Sequence, residues 1–461
     1  MNIFKKSISV ISVCALVTGL MAGCGTNTKG TKTATIWMSV GHSKDFWEKK
    51  VEEYNKTEGK EIGLELVLEC KTDDSYYQAL DVSKQSNQLP EFFSEGGCND
   101  IDELGIGYPI SDLPGMEDII EKYSALMQEA VHKKGDKIYA LPFAMTTRGL
   151  IYNKDMFKAA GIVDENGEAK PPKTLDEVRE YAKLLTDESK GKYGIVFPIK
   201  WTSWTYSDIE SVAISSMGRG AYDPVTGTYD FSVYEPVLNM IMGIKEDKTY
   251  YPGAEGLDND PARARFSAGN IGMKFAFSFD VGVFNDQFPM TADWGVAPLP
   301  VVDENTCYKQ QATVGTSLML SKTGVEKIGE EAAASVMKFF YSDDSIAELY
   351  KEGKELPCLW DIVKDVKLED AKTGWEEFAS MTKISTTSVL PMPTKLNDVE
   401  TFRDLVINRI WTNGEKIAPL LEKYTETANK GVQAYKELHP DEDYSIYIDE
   451  EWAEKVRREA Y

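Results

Sequence analysis

Hydrophobic positions along this chain fall into short runs and spaced sets that alternate between two periods. Residues 35–40 (TIWMSV) form a β-rich run, and the stretch that follows changes period. There Trp47, Val51 and Tyr54 recur at i, i+4 and i+7, one face of a helix over residues 43–55. Ser43 or Asp45 is placed to cap it. Residues 62–69 (IGLELVLE) predict a strand, 74–85 a helix and 90–93 a further strand. Strands alternating with helices in this way build an α/β unit with a mostly parallel sheet.

The alternation restarts at residues 150–152, a strand. Thr174-Leu175-Asp176-Glu177 is a capping box directly after Pro171-Pro172, and its helix presents Leu175, Val178, Ala182 and Leu185 on one face. Residues 193–197 (YGIVF) and 270–277 predict strands, the latter after a helix that contains Phe266 and closes at Gly269. Residues 314–321 open a third alternating stretch, and the last ~110 residues read mostly as helix by periodicity. Two units of this kind exceed what one core holds. The expectation is two lobes with a cleft between them, because domain boundaries and the carboxyl ends of parallel strands favour ligand pockets.

Composition narrows the function. The chain has 461 residues, 42% hydrophobic and 27% charged, an ordinary globular balance. Its 75 acidic against 51 basic residues give a formal charge of -24. So acidic a surface repels phosphate backbones, and no nucleic-acid partner is expected. With only 3 His, at positions 42, 132 and 439, no His-cluster metal site can be built, and no cofactor is expected.

The amino terminus reads as an address. Lys5 and Lys6 precede an apolar run over 8–20, so residues 1–23 form a secretory signal too short to serve as a stable membrane span. Met21-Ala22-Gly23-Cys24 resembles the lipobox of bacterial lipoproteins, with Met21 where Leu is usual. The resemblance implies acylation of the Cys24 sulfur, as with palmitate, and attachment to the extracytoplasmic face of the cell membrane. Each buried CH₂ of such a chain contributes ~0.8 kcal/mol. Residues 24–33 would then be the lipidated tether. Setting Cys14 and Cys24 aside leaves Cys70, Cys98, Cys307 and Cys358, without a CxxC pair to suggest zinc. A Cys70–Cys98 disulfide and buried free thiols both remain open, with free thiols preferred.

The run KIYALPFAMTTRGLIYNKDMFKAAGI over 137–162, followed by PPKTLDEVREYAKLLTD from Pro171, resembles the carbohydrate-type extracellular solute-binding proteins, the maltose-binding-protein-like family that serves ABC importers. FSAGNIGMKFAFSFD (266–280), DWGVAPLP (293–300), TVGTSLMLSK (313–322) and AAASVMKFFYSDD (332–344) recur in the family's order. The resemblance spans residues 35–438 and implies a two-lobed α/β fold of the periplasmic-binding-protein type. Carried onto this chain, crossings fall near 143–147, 297–301 and 352–356. Lobe one would comprise 34–143 and 301–351, lobe two 147–297 and 356–435, and 436–461 would be a C-terminal extension. The implied protein is a monomeric binding lipoprotein, not an enzyme, that captures a mono- or oligosaccharide and delivers it to the permease subunits.

A sugar offers apolar C–H faces, which suit flat aromatic rings, and hydroxyls, which suit carboxylates, amides and guanidinium groups. Trp201, Trp204 and Tyr206 follow the 193–197 strand, where the family places stacking aromatics; a core role for one Trp is the plain alternative. The resemblance puts Phe279 where the family usually has a stacking Trp, with Asp280 beside it to take hydroxyls. Trp37 and His42 belong to the first strand and its loop; Trp37 suits a core equally, and His42 a solvated loop. Glu95 and Asn99 can reach from lobe one. Arg148, beside the first crossing, can fork onto hydroxyls or a sugar carboxylate, or form a structural salt bridge. Trp360 lies near the third crossing. Trp47, Trp294 and Trp375 are assigned to structure. No GxSxG, HExxH, Walker A or GxGxxG motif occurs. The rival readings are a binding protein for a non-sugar solute and a secreted glycan-degrading enzyme.

Overall fold

The computed structural model describes residues 30–39, 43–71, 73–316, 318–387, 389–395 and 399–458. The expected signal segment, Cys24 and His42 lie outside the described residues. Two sheets, each with its own buried core, organise the chain. Across the first, the strand order is Leu64–Cys70, Lys32–Met38, Phe92–Phe93, Met319–Ser321 and Gly107–Tyr108. The first three run parallel, and Met319–Ser321 opposes both its neighbours. Helix Lys44–Lys56 turns Phe46, Trp47, Val51 and Tyr54 inward, where Trp47 packs between Phe143 and Phe340. A short helix, Glu58–Ile62, ends at Gly63 with φ 72°, so the next strand begins at Leu64 rather than Ile62. Lys32 and Thr33, expected in the tether, already pair with Leu64 and Glu65.

The second sheet orders Trp294–Ala297, Arg148–Asn153, Ile271–Phe277 and Tyr193–Ile195. Leu150, Met273 and Phe275 face one core, while Ile151, Ala276 and Val296 face another that includes Trp375 and Phe378. Covering both faces makes Ile271–Phe277 buried throughout, Lys274 included. Helix Leu175–Leu185 begins at the Thr174 capping box, with both reciprocal hydrogen bonds formed. It lies close on the sheet: a Cβ at Gly194 would come 2.3 Å from the Ala182 Cα.

Three strands join the lobes. Pro142–Thr146 is central, and Thr313–Thr316 and Leu356–Pro357 pair antiparallel on either side of it. The expected crossing at 297–301 does not occur there. Val301 accepts from the Leu175 N–H at 2.9 Å, and the Tyr308 N–H donates to the Ser215 carbonyl at 3.0 Å, which keeps this segment on lobe two. The run 314–321, expected to open a third alternating stretch, serves two sheets. Its first part pairs with Met145 and Ala144 in the hinge, its register shifts after Gly315, and Met319 pairs with Phe93 in lobe one. Near the carboxyl end, helices resume at Phe402–Asp404 and continue in Ile417–Leu438. Residues 389–395, inside the stretch expected to be mostly helix, have none; Pro391 and Pro393 remove amide donors there. Cys70, Cys98, Cys307 and Cys358 are all free thiols, so Cys70 and Cys98 are not bridged.

Candidate functional site

The carboxyl ends of strands Lys32–Met38 and Phe92–Phe93 open onto a cavity of about 280 Å³. Ser39, Tyr77, Ser94, Glu95 and the hinge residue Thr313 are in its wall. Tyr77 is 52% exposed and its ring sits edge-on to the buried Tyr76. The Tyr76 hydroxyl fastens this corner by donating to the Ser94 carbonyl and accepting from the Ser94 N–H at 3.0 Å, with the Trp37 carbonyl 3.2 Å away. Glu95 accepts from the Lys84 ammonium at 2.6 Å; burial nonetheless raises its carboxyl above the usual range, against the pull of Lys84.

On lobe two, an aromatic cluster forms where the Tyr193–Ile195 and Ile271–Phe277 strands end and Arg148–Asn153 begins. Phe277 and Phe279 stack with centroids 5.1 Å apart and planes at 6°, and Trp201 meets Phe277 edge-on at 6.0 Å. Arg148 is only 2% exposed. Its guanidinium carbon lies 4.7 Å from the Tyr206 ring centroid and 5.3 Å from that of Phe277. Its terminal nitrogens donate to the Gln311 carbonyl, the Tyr206 hydroxyl and, at 2.7 Å, Thr313 Oγ1. The Tyr206 and Thr313 hydroxyls are themselves 3.1 Å apart. Thr313 also borders the lobe-one cavity, so Arg148, Tyr206 and Thr313 are the hub that connects both lobes' surfaces at the hinge.

Several expected site residues sit elsewhere. Trp204 is 0% exposed and packs against Phe197 and Trp411, each with centroids 6.4 Å away. Its indole N–H donates to Asp208 at 3.1 Å, so the ring belongs to the core of lobe two rather than the cleft. Asp280 is likewise fully buried; it accepts from the Phe277 N–H at 3.0 Å and pairs with Arg263. Its oxygens fix the Phe277–Phe279 turn rather than reach outward. Trp37 is half-buried against the core, with the Lys71 ammonium 4.4 Å over its ring. Asn99 opens the short helix Asn99–Glu103 and does not border the cavity. Trp360 stands 38% exposed, edge-on to Tyr350 at 6.0 Å, apart from the Arg148 cluster. Arg148 forms neither the sugar-ready fork nor a salt bridge; hydroxyls and a carbonyl hold it. Trp201, Tyr206 and Phe279 remain half-exposed and are brought together. Sequence reasoning missed Phe277, Thr313 and Tyr77. Phe277 precedes Phe279 by two residues, and two aromatics so close at the end of a strand were the available signal.

Burial shapes the titratable groups beneath the cluster. Desolvation pushes Asp208 up to about 7, opposed by Lys274 and by hydrogen bonds from Ser207 and Trp204. Lys274 is lowered by the same burial. Burial also opposes the charge on Arg263, but Asp280 and Asp260 outweigh it and raise the group. Among the described residues, no cluster of His, Cys, Asp or Glu is arranged to hold a metal ion, and no helix is long and apolar enough to cross a membrane.

A family model described as bacterial extracellular solute-binding protein matches residues 41–347. The chain is 27% identical to the maltotriose-binding protein of Pyrococcus abyssi over 67% of its own length and 62% of the relative's, so it spans less than two thirds of that protein. It is 24% identical to the sn-glycerol-3-phosphate-binding periplasmic protein UgpB of Pectobacterium atrosepticum, over 66% of this chain and 68% of that one. Among solved structures, the fold is similar to an ABC transporter solute-binding protein from Thermotoga lettingae bound to α-D-tagatose. The TM-score is 0.65 at 18% identity, over 87% of this chain and all of that one.

Proposed function

The chain belongs to the bacterial extracellular solute-binding proteins, and from that premise we propose that it captures a carbohydrate between its lobes and hands it unchanged to an ABC importer permease. The observation that carries this reading is the set of half-exposed rings at Trp201, Tyr206 and Phe279, gathered with Phe277 around a buried arginine. Flat rings of this kind bury a sugar's C–H face at little entropic cost. The lobe-one cavity adds hydroxyl partners at Ser39, Tyr77 and Glu95. A maltotriose-binding relative and a tagatose-bound structure of the same fold point the same way. Acylation at Cys24 would tether the protein outside the cell, as a monomer beside its permease.

The glycerol-phosphate relative sets the sharpest alternative. A phosphate wants uncommitted donors, and both terminal nitrogens of Arg148 are already engaged by protein oxygens. Thermal melting with glucose, maltose, maltotriose, stachyose, chitotriose, tagatose and glycerol 3-phosphate decides between them. At 100 times its Kd, a ligand selective for the native state stabilises by ~2.7 kcal/mol. A rise with at least one carbohydrate is expected. A rise with glycerol 3-phosphate alone, or hydrolysis of any oligosaccharide, would overturn the proposal.

A further inference from the structure

The C-terminal extension is seated on lobe two by specific bonds. The Tyr222 hydroxyl donates to the Tyr447 carbonyl at 2.6 Å, and the Trp452 indole to the Gly218 carbonyl at 2.8 Å. The Lys309 N–H donates to the Val456 carbonyl at 2.8 Å, just upstream of the hinge strand. Met392, Val432 and Tyr447 close a small apolar core around Tyr222.

Through Trp452 the extension lines one wall of a cavity of about 290 Å³, small enough to suit a single sugar unit. Trp452 and Tyr222 give it aromatic walls, and Tyr206, a member of the Arg148 hub, forms its border with the cleft. One group in its lining is chemically unfinished, and a half-exposed carboxyl, Glu210, lines the same cavity. Gln311 is more than nine-tenths buried, and its Oε1 has no hydrogen-bond partner among the described residues. Burial drives the Glu210 carboxyl up to about 7 against the pull of Arg148. A polar oxygen buried like that of Gln311 is costly unless something completes it. Aromatic walls with a carboxyl, an amide oxygen and a phenol are the same chemistry the cleft presents to a polyol.

We propose that the C-terminal extension turns this cavity into a second sugar subsite, which takes the end unit of an oligosaccharide whose neighbouring unit lies on Trp201 and Phe279. The inference rests on the carbohydrate reading and deepens it: the ligand is a chain of at least two units, passing Tyr206. Hydroxyls of the end unit donate to Gln311 Oε1 and exchange hydrogen bonds with Glu210, while Trp452 covers its apolar face.

Fluorine NMR of the full chain labelled with 5-fluorotryptophan tests both readings at once. The Trp201 and Trp452 signals are assigned with Trp201→Phe and Trp452→Phe, and glucose, maltose, maltotriose, stachyose and chitotriose are titrated in turn. At least one oligosaccharide is expected to shift both signals. A shift of Trp201 without Trp452 under every probe overturns the subsite and leaves the carbohydrate reading standing. Silence of both signals under every probe removes both. Glu210→Leu keeps the volume and deletes the oxygens. It is expected to weaken the oligosaccharide that shifts Trp452 about tenfold, the scale of one lost hydrogen bond to a polar ligand. Unchanged affinity in that folded variant also overturns the subsite.

Discussion

Trp201 and Trp204 stand three positions apart, and substitution separates their work. Trp201 is half-exposed on the cleft cluster, so Trp201→Ala should leave stability nearly unchanged and weaken carbohydrate binding by ~1–3 kcal/mol, the scale of one buried aromatic contact. Trp204 fills the core against Phe197 and Trp411, so Trp204→Ala should cost ~3–5 kcal/mol of folding stability. Denaturant unfolding and calorimetry on the two variants check the pair. Equal losses of affinity with no loss of stability would return Trp204 to the cleft. The sequence around them has no clean period, and Trp204 is buried by Trp411, a partner distant along the chain. No local pattern carries that fact, whereas the clustering of aromatics after a strand was visible.

Asp208 offers a test by pH. Its folded carboxyl titrates at about 7 against an ordinary 3.8, chiefly through desolvation. The native state therefore holds this proton more tightly than the unfolded chain. The group's contribution is complete below pH ~4 and is lost as pH rises through about 7. Asp208→Asn cannot ionise, so its stability relative to the parent should improve between pH 5 and pH 8. Urea unfolding at the two values reads the difference; a constant gap between variant and parent would mean Asp208 is already charged at pH 5.

At the scale of elements, legibility followed the range of the forces involved. The Leu175–Leu185 helix was readable because its start is local: Thr174 and Glu177 satisfy each other's amides three residues apart. Ile271–Phe277 was readable because burial on both faces leaves a run that is apolar apart from Lys274. The hinge strand was not. Residues 313–321 look continuous, yet Thr313–Thr316 and Met319–Ser321 answer to different partners, Met145 in one sheet and Phe93 in the other. Such a change of sheet is set by partners remote in sequence. The resemblance therefore supplied the fold and the neighbourhood of Arg148, but placed one crossing too early and could not distinguish an outward carboxylate from Asp280, which is spent on Arg263 and a turn amide.

The whole molecule turns these pieces into a device because three hinge strands are the covalent path between two lobes, each with a main core of its own. The main cores lie within the lobes, while Tyr350 of helix Asp343–Lys351 packs on Trp375 across them at 5.7 Å, so a change of angle is set by that contact and by whatever bridges the cleft. A sugar touching only the lobe-two rings would bind without biasing that angle; one that also meets the lobe-one cavity at Tyr77 and Glu95 must favour closure. Moving such an equilibrium from 1:99 to 99:1 takes about 10⁴-fold tighter binding to the closed form, ~5.5 kcal/mol, which several hydrogen bonds and a stacked ring together supply. Small-angle scattering with the carbohydrate that raises the melting point should show a smaller radius of gyration than the free protein. Binding at full affinity with an unchanged radius would confine the ligand to one lobe and leave Tyr77 and Glu95 without a part in recognition.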